Sequence, residues 1–222
     1  NDDSSVVDHF WKGKKNVPDL NLWGDITKQK GIFIDVGSHT GLYTIVGLIS
    51  NPENFLISIE PSYLNMGRMM SNLRLNNMFK NQARILGAAS DKTGVKNFLF
   101  HNDPSYMSKG GKISERGESI NVLKLDDINI KDTRKVKGIK IDTEGEDYKV
   151  LLGAKSLITK NLPDIIIEVR EENKILIKDF LAILGYKFFL VLDDLKEINM
   201  VDFKINESIN IFATVNQRVF KK

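Results

Sequence analysis

"GIFIDVGSHTGLYTIVGLI", Gly31 to Ile49, decides how the chain is built. Ile32, Phe33 and Ile34 form a β-branched and aromatic run that ends in Asp35, Gly37 and Gly41 stand four apart, and apolar residues then recur at helical spacing. The spacing predicts a strand, a tight loop and the start of a helix. Glycine accepts backbone angles closed to other residues and brings no Cβ, while a helix start offers unpaired N–H groups. Such a loop lets a ligand approach the backbone. The same strand, turn and helix also serve as plain scaffold in α/β units, and the loop by itself does not separate the two readings.

A dinucleotide loop needs G-x-G-x-x-G and a P-loop needs G-x-x-x-x-G-K-[ST]. Ser38, His39 and Thr40 stand where the first would place its middle glycine, and no lysine follows Gly41. A nicotinamide cofactor is therefore disfavoured. The remaining pattern, D-x-G-x-x-x-G, sets a carboxylate at the strand end, which suits a ligand that carries a cationic amine. S-adenosylmethionine, with an α-amino group and a sulfonium, has that charge. His39 reads as a hydrogen-bonding loop residue before it reads as a catalytic one.

The 222 residues suffice for one sizeable domain with its own core. A hydrophobic content of 41% and a charged content of 27% are ordinary for a globular chain, and no apolar run approaches the length of a membrane span. The absence of cysteine excludes a disulfide framework and thiolate chemistry, and a reducing, cytoplasmic setting is the expectation. Three histidines (His9, His39, His101) argue against a histidine-rich metal site. A net charge of +3 is too mild to indicate nucleic acid, and the run Lys12 to Lys15 reads as a solvated surface.

Along the chain, β-rich runs alternate with helical patterns, which predicts a parallel sheet covered by helices. "FLISIEP" reads as the second strand, Ser62 to about Asn76 as a helix, and "ARILGAAS" as the third strand. "KNFLFHN" and "INVLKLDDI" read as strands around a Gly-, Ser- and Lys-rich loop, Asp103 to Ser119, expected to move as a gate. "VKGIKIDTEG" is a core strand followed by one helix, Glu146 to Thr159. "PDIIIEV", a helix ending at Gly185, "KFFLV" and "IFATV" close the fold. Residues 1–30 read as an N-terminal extension, with Trp11 and Trp23 either in a lid or packed on the sheet, and residues 31–222 as the main domain. Asp126 and Asp127 are expected to cap a short helix, and the methionines of "NMGRMM" to pack or to form a dimer surface.

Ligands of open α/β sheets bind beyond the carboxyl ends of the strands, at a switch in strand order. Four strands here end in acids: Asp35, Glu60, Asp142 with Glu144, and Glu168. Glu60 lies about 20 residues past the glycine loop, where a carboxylate accepts the hydroxyl protons of a ribose. A charge at the start of the next helix is the plainer account of it.

"IFIDVGSHTG", "ISIEP", "LKLDD", "IKIDTEGEDYKVLLGA", "IIIEV" and "LGY" resemble, in that order, the FkbM-like methyltransferases. The resemblance spans roughly Gly31 to Tyr186, and its most specific element is Lys140 to Ala154. It implies a Rossmann-like class I fold, a seven-stranded, mostly parallel sheet whose last strand is antiparallel, with helices on both faces. It further implies S-adenosylmethionine as cofactor and methyl transfer, often to a hydroxyl of a sugar, glycan or small metabolite. The family usually has Ala-Asn where this chain has Ser38-His39.

On this reading Asp35, Gly37, Ser38, His39, Gly41, Glu60, Pro61, Ala88, Ala89, Ser90 and Asp142 form the cofactor site. Transfer to an alcohol needs a general base or a cation that acidifies the hydroxyl. Asp142, Glu144 and His101 are the candidate bases, with Lys140, on the same strand face, holding one carboxylate ionised. A structural ion pair is the competing account of that triplet. Mg²⁺ between Asp142 and Glu168 is admitted but not favoured. An RNA or protein acceptor and a non-catalytic adenosyl-binding module are the alternatives; a basic track leading to Gly37 would favour nucleic acid, a closed acidic or neutral pocket a small acceptor.

Overall fold

The structure, a computed structural model, describes residues 17–100, 111–192 and 194–216. Helices α1 (Pro18–Ile26), α2 (Leu42–Ser50), α3 (Tyr63–Leu75), α4 (Asp147–Gly153), α5 (Lys155–Asn161) and α6 (Lys174–Ala182) surround two sheets. The strands are β1 (Ile32–Val36), β2 (Phe55–Glu60), β3 (Gln82–Leu86), β4 (Ala88–Ala89), β5 (Gly94–Phe100) and β6 (Gly111–Ile113). They continue with β7 (Glu118–Leu123), β8 (Val136–Ile141), β9 (Asp164–Arg170), β10 (Lys187–Leu190), β11 (Lys196–Glu197) and β12 (Ser208–Thr214).

The large sheet runs β11-β10-β12-β9-β8-β1-β2-β3. β12 is antiparallel to both neighbours, as expected of the last strand, and the two-residue β11 extends the sheet to eight strands. The chain winds outward from β1 to β3, then restarts at β8 on the other side of β1. The switch point therefore lies between β1 and β8, whose carboxyl ends open on one crevice.

Alternation along the central strands sorts side chains to two cores. Ile32, Ile34 and Val36 join Val150, Leu151, Ile177 and Leu181 beneath α4 and α6. Phe33, Leu56, Ile166 and Phe212 join Trp23, Ile26, Leu48 and Met69 beneath α1, α2 and α3. Trp23 is fully buried, edge-on to Phe33 with ring centroids 5.8 Å apart, and donates from Nε1 to the Tyr43 carbonyl. The described part of the extension, residues 17–30, thus packs on the sheet, and full burial of such a side chain contributes about 1.5–3 kcal/mol. Trp11 lies outside the described residues. Met66 and Met69 are core, whereas Met70 is exposed.

Several expected elements divide. "ARILGAAS" splits at Gly87 into β3 of the large sheet and β4 of a second sheet, β4-β7-β5-β6, because the backbone of Asn121 passes so close that a Cβ on Gly87 would meet it at 2.8 Å. The expected gate is corrected in part. Gly111–Ile113 pairs with β5 and Ser119 lies within β7, so these residues spend their backbone hydrogen bonds in a sheet. Residues 103–110 lie outside the described residues. The helix expected over Glu146 to Thr159 breaks at Ala154, where Gly153 passes against Ser90. Asp126 then caps the second piece, accepting from the backbone N–H groups of Ser156 at 3.0 Å and Leu157 at 2.8 Å. The short helix that Asp126 caps is thus α5, not the turn Leu125–Asp127 in which it sits, which has no side-chain cap.

Candidate active site

Three rows of side chains climb the middle of the sheet toward the crevice. Phe33 and Leu56 lie lowest, Asp35, Ser58 and Lys140 form the next row, and Gly37, Glu60 and Asp142 stand at the top. The same alternation that puts Phe33 in the core places Asp35 and Lys140 under α2. The top row borders a cavity of about 300 Å³, within the size range of small-ligand sites.

Asp35 is fully buried. Thr44 Oγ1 donates to its Oδ2 at 2.8 Å and lies 2.6 Å from Ser58 Oγ. Burial pushes the Asp35 carboxyl up, with the Lys140 charge pulling the other way. Lys140 is 3% exposed and donates to Asp142 Oδ2 at 2.9 Å, with its ammonium 4.6 Å from the Tyr43 ring centroid. Burial pulls the Lys140 ammonium down, but Asp142 and Asp35 outweigh it and the net shift is upward. Tyr43 hydroxyl donates to Asp19 Oδ2, which also accepts from Asn210 Nδ2 at 3.1 Å. Burial raises the Tyr43 phenol well above its ordinary range, so it stays protonated.

Glu60 is nearly buried. Its Oε2 accepts from His39 N at 2.9 Å and its Oε1 from Ser62 N at 2.9 Å, which ties the glycine loop to the start of α3. Burial raises its carboxyl, opposed by these backbone bonds. Gly37 (φ 74°) and Gly41 (φ 88°) need their missing Cβ for packing: one at Gly37 would sit 1.8 Å from the Asp142 carbonyl oxygen, one at Gly41 2.6 Å from Met69 Cγ. The loop beyond β8 hangs on Asp147, which accepts from Thr143 N and Thr143 Oγ1 at 2.9 Å and from Gly145 N at 3.2 Å. Burial, with Glu168 nearby, pushes Asp147 up to about 6. Glu144 accepts from Arg170 at 2.8 Å, and Glu168 from the same guanidinium at 3.2 Å. Among the described residues no three histidines or acids converge as a metal site.

The model of the methyltransferase FkbM domain matches residues 35–188. The chain belongs to that family. The fold agrees: the structure is similar to an FkbM methyltransferase from Methylobacillus flagellatus KT (TM-score 0.55, 19% identity), covering 83% of this chain and 43% of that one. It is also similar to a precorrin-6y C5,15-methyltransferase from Geobacter metallireducens GS-15 (TM-score 0.51, 9% identity, 88% and 86% covered). An rRNA methylase from Streptococcus thermophilus gives a TM-score of 0.50 at 10% identity, with 88% and 93% covered. No curated protein sequence matches the chain significantly. These neighbours share the class I methyltransferase fold, and the FkbM family implies S-adenosylmethionine as methyl donor. No described helix is long and apolar enough to cross a membrane.

Of the residues the sequence singled out in this FkbM chain, Gly37, Ser38, His39, Glu60, Pro61, Ala88, Ala89, Lys140, Asp142 and Glu144 border the cavity. Asp35 stands behind the wall under Thr44, Gly41 faces Met69, and Ser90 turns to Lys96, which donates to its Oγ at 2.7 Å. His101 lies outside the described residues. Among the lining residues not anticipated are Asp19, Tyr43, Phe98, Glu146 and Asn210. Tyr43 stands two positions beyond Gly41 of the glycine loop, and Glu146 lies within the element Lys140 to Ala154. Asp19 and Asn210 reach the cavity only through tertiary packing.

The site fits the implied cofactor in a specific respect. Ser38 Oγ and Asp35 Oδ1 are shut off from solvent and have no hydrogen-bond partner among the described residues. Natural proteins seldom leave such atoms unmatched, and Ser38 is on the cavity wall.

Proposed function

We propose that the chain transfers the methyl group of S-adenosylmethionine to a hydroxyl oxygen of a small neutral acceptor, a sugar, glycan or metabolite. The observation that carries this reading is the acidity of the cavity wall. Asp19, Glu60, Asp142, Glu144 and Glu146 line it, against Lys140 as its one lysine or arginine among the described residues. A wall of that sign repels phosphate backbones, which speaks for a small acceptor and against RNA despite the net charge of +3.

When bound, S-adenosylmethionine supplies an electrophilic methyl group. Glu60 would accept from its ribose, Pro61, Ala88 and Ala89 would flank its adenine, and Ser38 would meet its methionine end. What the chain adds is orientation and a place for the acceptor's proton. Asp142 suits the base. Lys140 holds one of its oxygens at 2.9 Å, and the second oxygen is the one an acceptor proton can reach. Glu144 is tied to Arg170 and is the weaker candidate. No step is assigned to Mg²⁺.

The test is methyl transfer from S-adenosylmethionine to a panel of neutral sugars, followed by release of S-adenosylhomocysteine. Asp142→Asn should lower the rate by about 10²–10⁴ while binding S-adenosylhomocysteine nearly as well as wild type, so that the loss falls on the chemical step. Full turnover by that variant, or turnover on RNA alone, refutes the assignment.

A further inference from the structure

We propose that Asn210, oriented by Asp19, is an acceptor-binding residue whose amide oxygen takes a hydrogen bond from a hydroxyl or amine of an uncharged or cationic acceptor. The proposal rests on the reading of the cavity given above and names which wall the acceptor meets. Asn210 sits on the antiparallel strand β12, opposite Glu168, and Asp19 comes from α1, 191 positions earlier. Both border the cavity, and both lie outside residues 35–188. They therefore belong to the part of the site that lies outside the matched family segment.

The chemistry dictates which way the amide faces. An ionised carboxylate only accepts, so the Asn210 amide must turn its Nδ2 toward Asp19 Oδ2, as it does at 3.1 Å. The Tyr43 hydroxyl donates to the same oxygen and fixes that carboxylate in turn. Asn210 Oδ1 is thereby turned away from Asp19; it is closed to solvent and has no partner among the described residues. A buried carbonyl oxygen without a donor is uncommon and calls for a ligand or water to complete it. Asn210 itself borders the cavity. Asp19, Asp142 and Glu144 on the surrounding wall set the sign: an anionic acceptor is repelled, a neutral or cationic one admitted.

The experiment titrates the full chain, saturated with S-adenosylhomocysteine, with three probes of one ring shape: D-glucose, D-glucosamine and D-glucuronate. Binding is read by saturation-transfer NMR. Glucose or glucosamine should bind and glucuronate should not. Asn210→Leu should weaken that binding about tenfold, the scale of one lost hydrogen bond, with the affinity for S-adenosylhomocysteine unchanged. Asp19→Asn, which releases the amide to turn, should weaken it as well. Asn210→Ser serves if the leucine variant melts early. Equal sugar affinity in wild type and variants, preference for glucuronate, or no signal from any probe overturns the proposal. Failure of wild type to bind S-adenosylhomocysteine instead overturns the methyl-transfer reading, and the sugar titrations without it still decide the role of Asn210.

Discussion

Lys140→Met removes the single cation of the second row and leaves two carboxylates behind. Breaking a buried ion pair from one side costs about 3–5 kcal/mol, because the partner charge stays uncompensated. The two partners here differ. The Asp142 side chain is 37% exposed and can be rehydrated, so its share of the cost is small, whereas Asp35 is fully buried. The expected loss is therefore at the low end, about 3 kcal/mol, or a fall in Tm of about 6–12 °C for a chain of this size. The pH dependence has a definite sign. Burial already raises Asp35 and Lys140 opposes it, so without the lysine the folded carboxyl rises further above its unfolded value. The folded variant then holds a proton that the unfolded chain has released, and its deficit against wild type should shrink as pH falls from about 8 to about 5.5. Asp35→Asn added to Lys140→Met should restore most of the loss. Urea unfolding followed by circular dichroism at both pH values measures all of this. A single variant within about 0.5 kcal/mol of wild type at both would refute the view that Lys140 neutralises a buried charge.

Gly37→Ala should destabilise by more than about 2 kcal/mol and abolish cofactor binding, since its Cβ would lie 1.8 Å from the Asp142 carbonyl at a φ of 74°; thermal melts and calorimetry check it, and a normal melt would sink it. Asp147 is pushed up to about 6, so the folded state keeps its proton longer than the unfolded chain and this group's contribution to stability falls as pH rises through about 4 to 6. Asp147→Asn should therefore gain about 3 kcal/mol relative to wild type between about pH 4 and pH 7, and denaturant titrations showing a constant difference would contradict it.

What the sequence made legible was local. The strand, loop and helix from Gly31 to Ile49 are contiguous, and Glu60 and Asp142 follow from the alternation that carries Phe33 and Ile139 into opposite cores. The Lys140–Asp142 pair was readable at i, i+2 on one strand face. Three features were not. Gly111–Ile113 gives no apolar signal of its own and becomes a strand only by pairing with β5. The break at Ala154 depends on the Ser90 backbone and on a cap donated by Asp126, about thirty residues before it. The Asp19, Tyr43 and Asn210 wall joins a helix, another helix and the last strand, and no spacing in the chain connects them.

Calorimetric titration of the full chain with S-adenosylhomocysteine, for wild type and Glu60→Ala, tests most directly whether the crevice between β1 and β8 is a cofactor site. One molecule should bind each chain, and the variant should bind more weakly by about 1.5–3 kcal/mol, the loss expected for hydrogen bonds to a charged carboxylate. Absence of binding by wild type, or an affinity unchanged in Glu60→Ala, would contradict the account.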